Sequence, residues 1–144
     1  MPHVVVDYSE NLTGLNAKQL LEEINSTLIE TELFSPEDIK SRARKDDVFL
    51  IGLGADQAYI HVKAYILSGR TAEQKQLMGE QLLAVLSNKK YLQQEFNKEI
   101  QLCVELVDMP RELFQASCIT LKNAISIKNR DQHYVKVVLS NEQT

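Results

Sequence analysis

The stretch Tyr59-Ile60-His61-Val62-Lys63-Ala64-Tyr65-Ile66-Leu67, followed by Ser68-Gly69-Arg70 and then Thr71-Ala72-Glu73-Gln74, decides the fold. Ile60, Val62, Ala64 and Ile66 fall on one side of an extended chain, and His61, Lys63 and Tyr65 on the other. That alternation predicts a strand with one face in the core. Thr71 and Gln74 have the spacing of a capping box, in which each end of the pair satisfies a backbone N–H that the helix leaves free. Leu77, Met78, Leu82, Val85 and Leu86 then recur at helical spacing and predict the apolar stripe of a helix. Downstream, Ile100 to Val107 reads as another strand.

Upstream the same order occurs. Val4-Val5-Val6 is a β-branched run and predicts a strand. Asn16-Ala17-Lys18-Gln19 resembles a second capping box, and Leu20, Leu21, Ile24 and Leu28 follow at helical spacing. Pro36 is the expected stop of that helix, and Ile39 to Gly52 reads as extended chain or a hairpin, with Gly52 and Gly54 supplying a turn. Two β-α-β units in series predict an α+β domain, a four-stranded sheet with two helices on one face. Two helices cannot cover both faces of such a sheet, so self-association is the expected cover for the other. The domain is expected over residues 1–125, in halves of about 2–55 and 57–110. Residues 126–144 form an extension in which Tyr134 to Leu139 reads as an edge strand or an arm onto a neighbour.

The chain has 144 residues, 44% apolar and 25% charged, enough for one core without disulfides or structural metal. A net charge of −4 gives no general attraction for nucleic acid, so no nucleic-acid partner is expected. Cys103 and Cys118 are too far apart for a CxxC unit, and with three histidines they make no metal-ligand spacing. Both are expected in or near the core as reduced thiols. The amino terminus has neither the basic region nor the apolar run of a signal peptide, and no stretch has the length of a membrane helix. A cytoplasmic protein without a membrane partner is the expectation.

Four places in the sequence stand out for chemistry: Pro2, the Lys40–Arg44 stretch, Arg70 and His61. Pro2 follows the initiator Met1; if Met1 is removed, the chain begins with a secondary amine. Burial and nearby cations both disfavour the ammonium form, leaving a free base suited to moving a proton between carbon and oxygen. Equally, proline is tolerated as the first residue of a strand. Lys40 and Arg42, with Arg44, share one face if Lys40-Ser41-Arg42-Ala43-Arg44 is extended, and there they either hold an anion or guard a sheet edge. Arg70 precedes the capped helix start, where it either adds a planar grip on a carboxylate or sits in solvent. His61 reads as a structural histidine or a proton shuttle.

Together these segments resemble the 5-carboxymethyl-2-hydroxymuconate delta-isomerase family of the tautomerase superfamily. The resemblance rests on Met1-Pro2-His3-Val4-Val5-Val6-Asp7-Tyr8-Ser9-Glu10-Asn11, on Ile39-Lys40-Ser41-Arg42, on Ala58-Tyr59-Ile60-His61-Val62 with Gly69-Arg70, and on Val104-Glu105-Leu106 and Lys122-Asn123. It implies a tautomerase-like fold of two β-α-β halves, a homotrimer with helices outside, and a cofactor-independent isomerase. In that reading the Pro2 amine is the catalytic base, Lys40, Arg42 and Arg70 bind substrate, and neither metal nor cofactor takes part. The implied substrate is a small anionic dicarboxylate, a hydroxymuconate-type enol acid from aromatic catabolism. Two alternatives stay open: a tautomerase for another enol acid such as a phenylpyruvate-like substrate, and a non-catalytic trimeric binding protein of the same fold. The family pattern has arginine where this chain has Lys40, which keeps the charge and loses the two-pronged geometry.

Overall fold

The computed structural model describes residues 1–121 and, as backbone, residues 124–128 and 134–138. The chain divides into two compact units, Met1–Asp108 and Met109–Thr144. The first holds strands β1 (His3–Ser9), β2 (Lys40–Asp46), β3 (Ala58–Leu67) and β4 (Ile100–Met109, its last residue in the second unit), with helices α1 (Ala17–Glu30) and α2 (Ala72–Ser87). The strands form one mixed sheet in the order β2-β1-β3-β4. The second unit contains a three-stranded sheet of β5 (Ala116–Thr120), β6 (Ala124–Lys128) and β7 (Tyr134–Val138), antiparallel throughout. Leu139, expected at the end of the last strand, and the Lys122-Asn123 segment lie outside the described residues.

Alternation along β3 is as the sequence dictates. Ile60, Val62, Ala64 and Ile66 are fully buried, and the residues between them are half-exposed. They join Val4, Val6 and Tyr8 of β1, Leu20, Ile24 and Leu28 of α1, and Met78, Leu82 and Leu86 of α2 in a single cluster. Only one side of each strand contributes, so both helices cover the same face. Each fully buried Leu or Ile there contributes about 1.5–3 kcal/mol of apolar burial. Leu77 departs from the expected stripe: it is 52% exposed, one position round the helix from Met78 at 1%. Neighbouring helix positions differ by about 100°, so one of such a pair faces solvent.

Both helix starts are capped, but only the second by a reciprocal box, because the Gln19 side chain donates to Glu23 at 3.1 Å and to the Lys90 carbonyl at 3.1 Å instead of reaching back to Asn16. Asn16 accepts from the Gln19 N–H at 3.0 Å. Thr71 and Gln74 close a reciprocal box, the Gln74 N–H donating to Thr71 Oγ1 at 3.1 Å and the Thr71 N–H to Gln74 Oε1 at 2.9 Å. The end of α1 differs from expectation. The helix stops at Glu30, well before Pro36, because Thr31 Oγ1 donates back to the Leu28 carbonyl at 2.6 Å and Glu32 takes φ 62°. β2 is a strand parallel to β1 rather than half of a hairpin. The turn beyond it closes through Ile51 and Gly54, with Gly52 at φ 62°, where a side chain would be strained. No helix among the described residues is long and apolar enough to cross a membrane.

Candidate active site

The site follows from the register of three strands. β1 lies between β2, to which it is parallel, and β3, to which it is antiparallel. His3 is level with Lys40 and Tyr65, Val5 with Arg42 and Lys63, and Asp7 with Arg44 and His61. Residues level in a sheet point the same way. These nine side chains therefore make three rows on the face the helices leave uncovered. Parallel pairing sets the start of β2 beside the start of β1; antiparallel pairing sets the end of β3 there too. Pro2, Lys40 and Arg70, scattered in sequence, thus gather at one end of the sheet.

Pro2 is buried, and its carbonyl accepts from the Lys40 N–H at 3.1 Å. Met1 before it is also buried, at 9% exposure. With Met1 attached, the Pro2 nitrogen is a tertiary amide without basicity. Lys40 donates from Nζ to the Asp38 carbonyl at 3.3 Å and stays exposed. Arg42 is exposed one row inward. Arg70 is held by its surroundings: Nη2 donates to the Leu33 carbonyl at 2.9 Å, and the guanidinium lies over the Phe34 ring at 5.1 Å from its centre. Planarity allows that stacking and hydrogen bond together, which a lysine could not reproduce.

His3 reports the local field. Burial lowers its pKa first, and Lys40, Arg42 and the chain's amino terminus lower it further. Burial, aided by these cations, thus favours the neutral imidazole, and the same cations would act on a Pro2 amine. Because the folded pKa lies below the unfolded value of about 6.5, the unfolded chain binds the extra proton as pH falls. Stability from this group is present above that value and is lost as pH drops through the folded pKa. His3→Gln is expected to flatten the acid limb of stability between about pH 7 and pH 5, read from urea midpoints. Identical acid limbs in both proteins would remove His3 from the field.

In the third row Arg44 has its own counter-charge. Arg44 Nε donates to Asp7 at 2.9 Å, which raises the arginine pKa, and His61 lies 3.4 Å from Glu105 of β4. His61 thus lies beside Glu105, level with the Arg44–Asp7 ion pair and two rows inward from His3. At the far end of β1, burial and a short hydrogen bond to Asp46 push the Tyr59 hydroxyl up to about 12. Cys103 and Cys118, expected in or near the core, are both exposed. The β4 alternation buries Leu102 and Val104 partly and turns Cys103 to the uncovered side. Among the described residues no group of His, Cys, Asp and Glu is placed to hold a metal ion. His3 has no local signal in the sequence as part of this site; its place beside Lys40 comes from the register of β1 on β2.

Comparison with known proteins follows the same lines. The family model for 5-carboxymethyl-2-hydroxymuconate isomerase matches residues 2–139. A 5-carboxymethyl-2-hydroxymuconate Delta-isomerase of Escherichia coli is 34% identical over 93 residues, covering 60% of this chain and 70% of that protein. A crystal structure of a 5-carboxymethyl-2-hydroxymuconate isomerase from Deinococcus radiodurans superposes with a TM-score of 0.68 at 24% identity, over 78% of this chain and 86% of that one. A fused wild-type 4-OT symmetric trimer superposes at 0.60 with 21% identity, over 79% and 90%. At these identities the structures show the shared fold alone. With the family match spanning nearly the whole chain, the protein belongs to the 5-carboxymethyl-2-hydroxymuconate isomerase family and is an isomerase of the tautomerase fold.

Proposed function

We propose that the protein isomerises a hydroxymuconate-type enol acid in aromatic catabolism, without cofactor, using the Pro2 amine freed by removal of Met1. The observation that carries this reading is the register that sets Pro2, buried, at the same sheet end as Lys40, with Arg42 one row away. Met1 is buried, so its departure leaves a recess at the proline nitrogen rather than an open terminus. The cations that lower the His3 pKa lie beside that recess. They favour the neutral amine, the form able to accept a proton.

In the proposed sequence, the neutral Pro2 amine takes the enol hydroxyl proton of the substrate. Negative charge spreads along the resulting dienolate. Lys40 and Arg42 hold the carboxylate and stabilise that charge, with Arg70 fixing the wall formed by Leu33 and Phe34 and adding positive potential. Prolinium then delivers the proton to a carbon of the same conjugated system, giving the ketone and regenerating the amine. Proton count and charge balance over the cycle. The uncovered sheet face and the fused 4-OT trimers among the solved structures of this fold support a homotrimer, and we read the protein as cytoplasmic.

The test is the ultraviolet absorbance of freshly generated enols. 2-Hydroxymuconate is expected to ketonise faster with enzyme than enolic phenylpyruvate does, compared by kcat/KM. Preference for the phenylpyruvate enol would move the assignment to another enol acid. No acceleration of either would leave a binding protein of the same fold.

A further inference from the structure

We propose that the protein has a second small-molecule site, a pocket at the carboxyl end of α2 that takes an aromatic monocarboxylate. The pocket holds about 540 Å³ and is bordered only by residues between Leu86 and Leu102. Small-molecule sites commonly measure about 300–1,000 Å³, apolar inside with a few polar groups at the rim. Here Leu86, Leu92, Phe96, Ile100 and Leu102 supply the apolar wall. Ser87, Lys89, Glu95 and Lys98, all exposed, form the rim. The chain builds this pocket by pinning one connection at both ends. Beyond α2, Lys89 at φ 64° turns the chain back. The Asn16 N–H donates to the Tyr91 carbonyl at 2.8 Å and the Gln93 N–H to the Gly14 carbonyl at 2.8 Å, which fixes residues 91–93. The Glu99 carbonyl accepts from the Ala58 N–H at 3.1 Å, which fixes the approach to β4. Residues 94–98 bridge the two anchors along the side of the pocket.

This place is separate from the Pro2 end of the sheet. β3 begins at Ala58, beside Glu99, whereas His3 is level with Tyr65, roughly 20 Å further along that strand. Ile100 and Leu102 pack against the helix-side cluster, so the pocket lies on the side of the helices. Assembly through the helix-free face leaves it uncovered. Apolar side chains around an open pocket forfeit the contacts that close packing supplies elsewhere, and a flat ring restores them. Charge decides the rest of the guest. Lys89 has no carboxylate partner among the described residues, and Lys98 reaches only Asp56, at 4.0 Å. One acid, Glu95, shares the rim with these two cations. Two positive groups to one negative favour a guest with a single acid group, its ring inside and its carboxylate toward Lys89.

The experiment uses the full chain and 2-naphthoate, with 2-naphthylmethanol and 2-naphthylmethylammonium as neutral and cationic probes of similar shape. Calorimetry near neutral pH is expected to give the acid the lowest Kd and the ammonium the highest. Ser87→Trp, which fills the mouth of the pocket, weakens 2-naphthoate by about tenfold or more; Lys89→Met weakens it about fivefold and the alcohol less than about twofold. Both variants keep the thermal midpoint and the turnover of 2-hydroxymuconate. Saturating cis,cis-muconate leaves 2-naphthoate bound. No binding to the unsubstituted chain, an acid held no tighter than the alcohol or the ammonium, equal losses of acid and alcohol in Lys89→Met, unchanged binding in Ser87→Trp, or displacement by muconate would each overturn the assignment. Lys89-dependent binding of 2-naphthoate without turnover of any enol acid would sustain it, because the pocket stands apart from the isomerase reading.

Discussion

An acetyl group on the mature amino terminus lowers turnover of 2-hydroxymuconate by about a hundred- to ten-thousand-fold, the range in which a positioned proton carrier acts. The reason is electronic. Acylation turns the Pro2 nitrogen into an amide, whose lone pair is delocalised and no longer takes a proton near neutral pH. The fold has no need of that amine. The first ladder bond next to it runs from the Lys40 N–H to the Pro2 carbonyl, and β1 starts at His3. The recess left by Met1 is large enough for an acetyl group, since a buried methionine side chain filled it. Retained Met1 should have the same effect as the acetyl group, so intact mass must accompany every rate. Pro2→Ala gives a primary amine in the same place; its activity should fall less, and the acid limb of its pH profile, where that amine is protonated, should shift. Single-turnover rates on acetylated and free protein, with circular dichroism to show the fold, check the prediction. Equal rates would move the base elsewhere, and neutral His3 is the neighbouring group to examine next.

The features legible in the sequence are those that depend on neighbours along the chain. The alternation of β3 needs only its own ten residues, and the Thr71-Gln74 box needs four, so both are found where periodicity and capping chemistry place them. What depends on a distant partner was not legible. Nothing in Lys40-Ser41-Arg42-Ala43-Arg44 says that its neighbour is β1, 37 residues away and parallel, yet that pairing is what brings Lys40 to Pro2. The stop of α1 was misplaced because Pro36 is a conspicuous breaker while Thr31 and Glu32 act through a side-chain bond and a positive φ. Cys103 looked like core because thiols often are, but the β4 pleat decides its side. Arg70 was recognised as a candidate, and its placement at the sheet end follows from β3 running antiparallel to β1; its stacking on Phe34 is tertiary and has no local signature.

Leu82→Ala is expected to destabilise the protein by about 2–5 kcal/mol while leaving kcat per folded molecule unchanged. Leu82 is fully buried in the cluster that joins α2 to Val4, Val6, Ile60 and Val62. Truncation removes its apolar contacts and leaves a cavity that two helices fixed on one sheet cannot fully close. Lys40 and Arg42 occupy the other face: Val4 and Val6 turn to the helices, whereas His3 and Val5, level with Lys40 and Arg42, turn to the cation rows. The pleat of β1 thus separates the packing cluster from the cation rows. Leu77→Ala, on the same helix but 52% exposed, is the control and should change stability by no more than about 0.5 kcal/mol. Urea unfolding gives both free energies, and rates measured well below the transition give kcat. A fall in kcat for Leu82→Ala at full folding would mean that the sheet transmits strain from the helix face to Pro2, and the two faces would have to be treated as coupled. A loss below 1 kcal/mol would mean that α2 collapses onto the gap and that its grip on the sheet is looser than its burial implies.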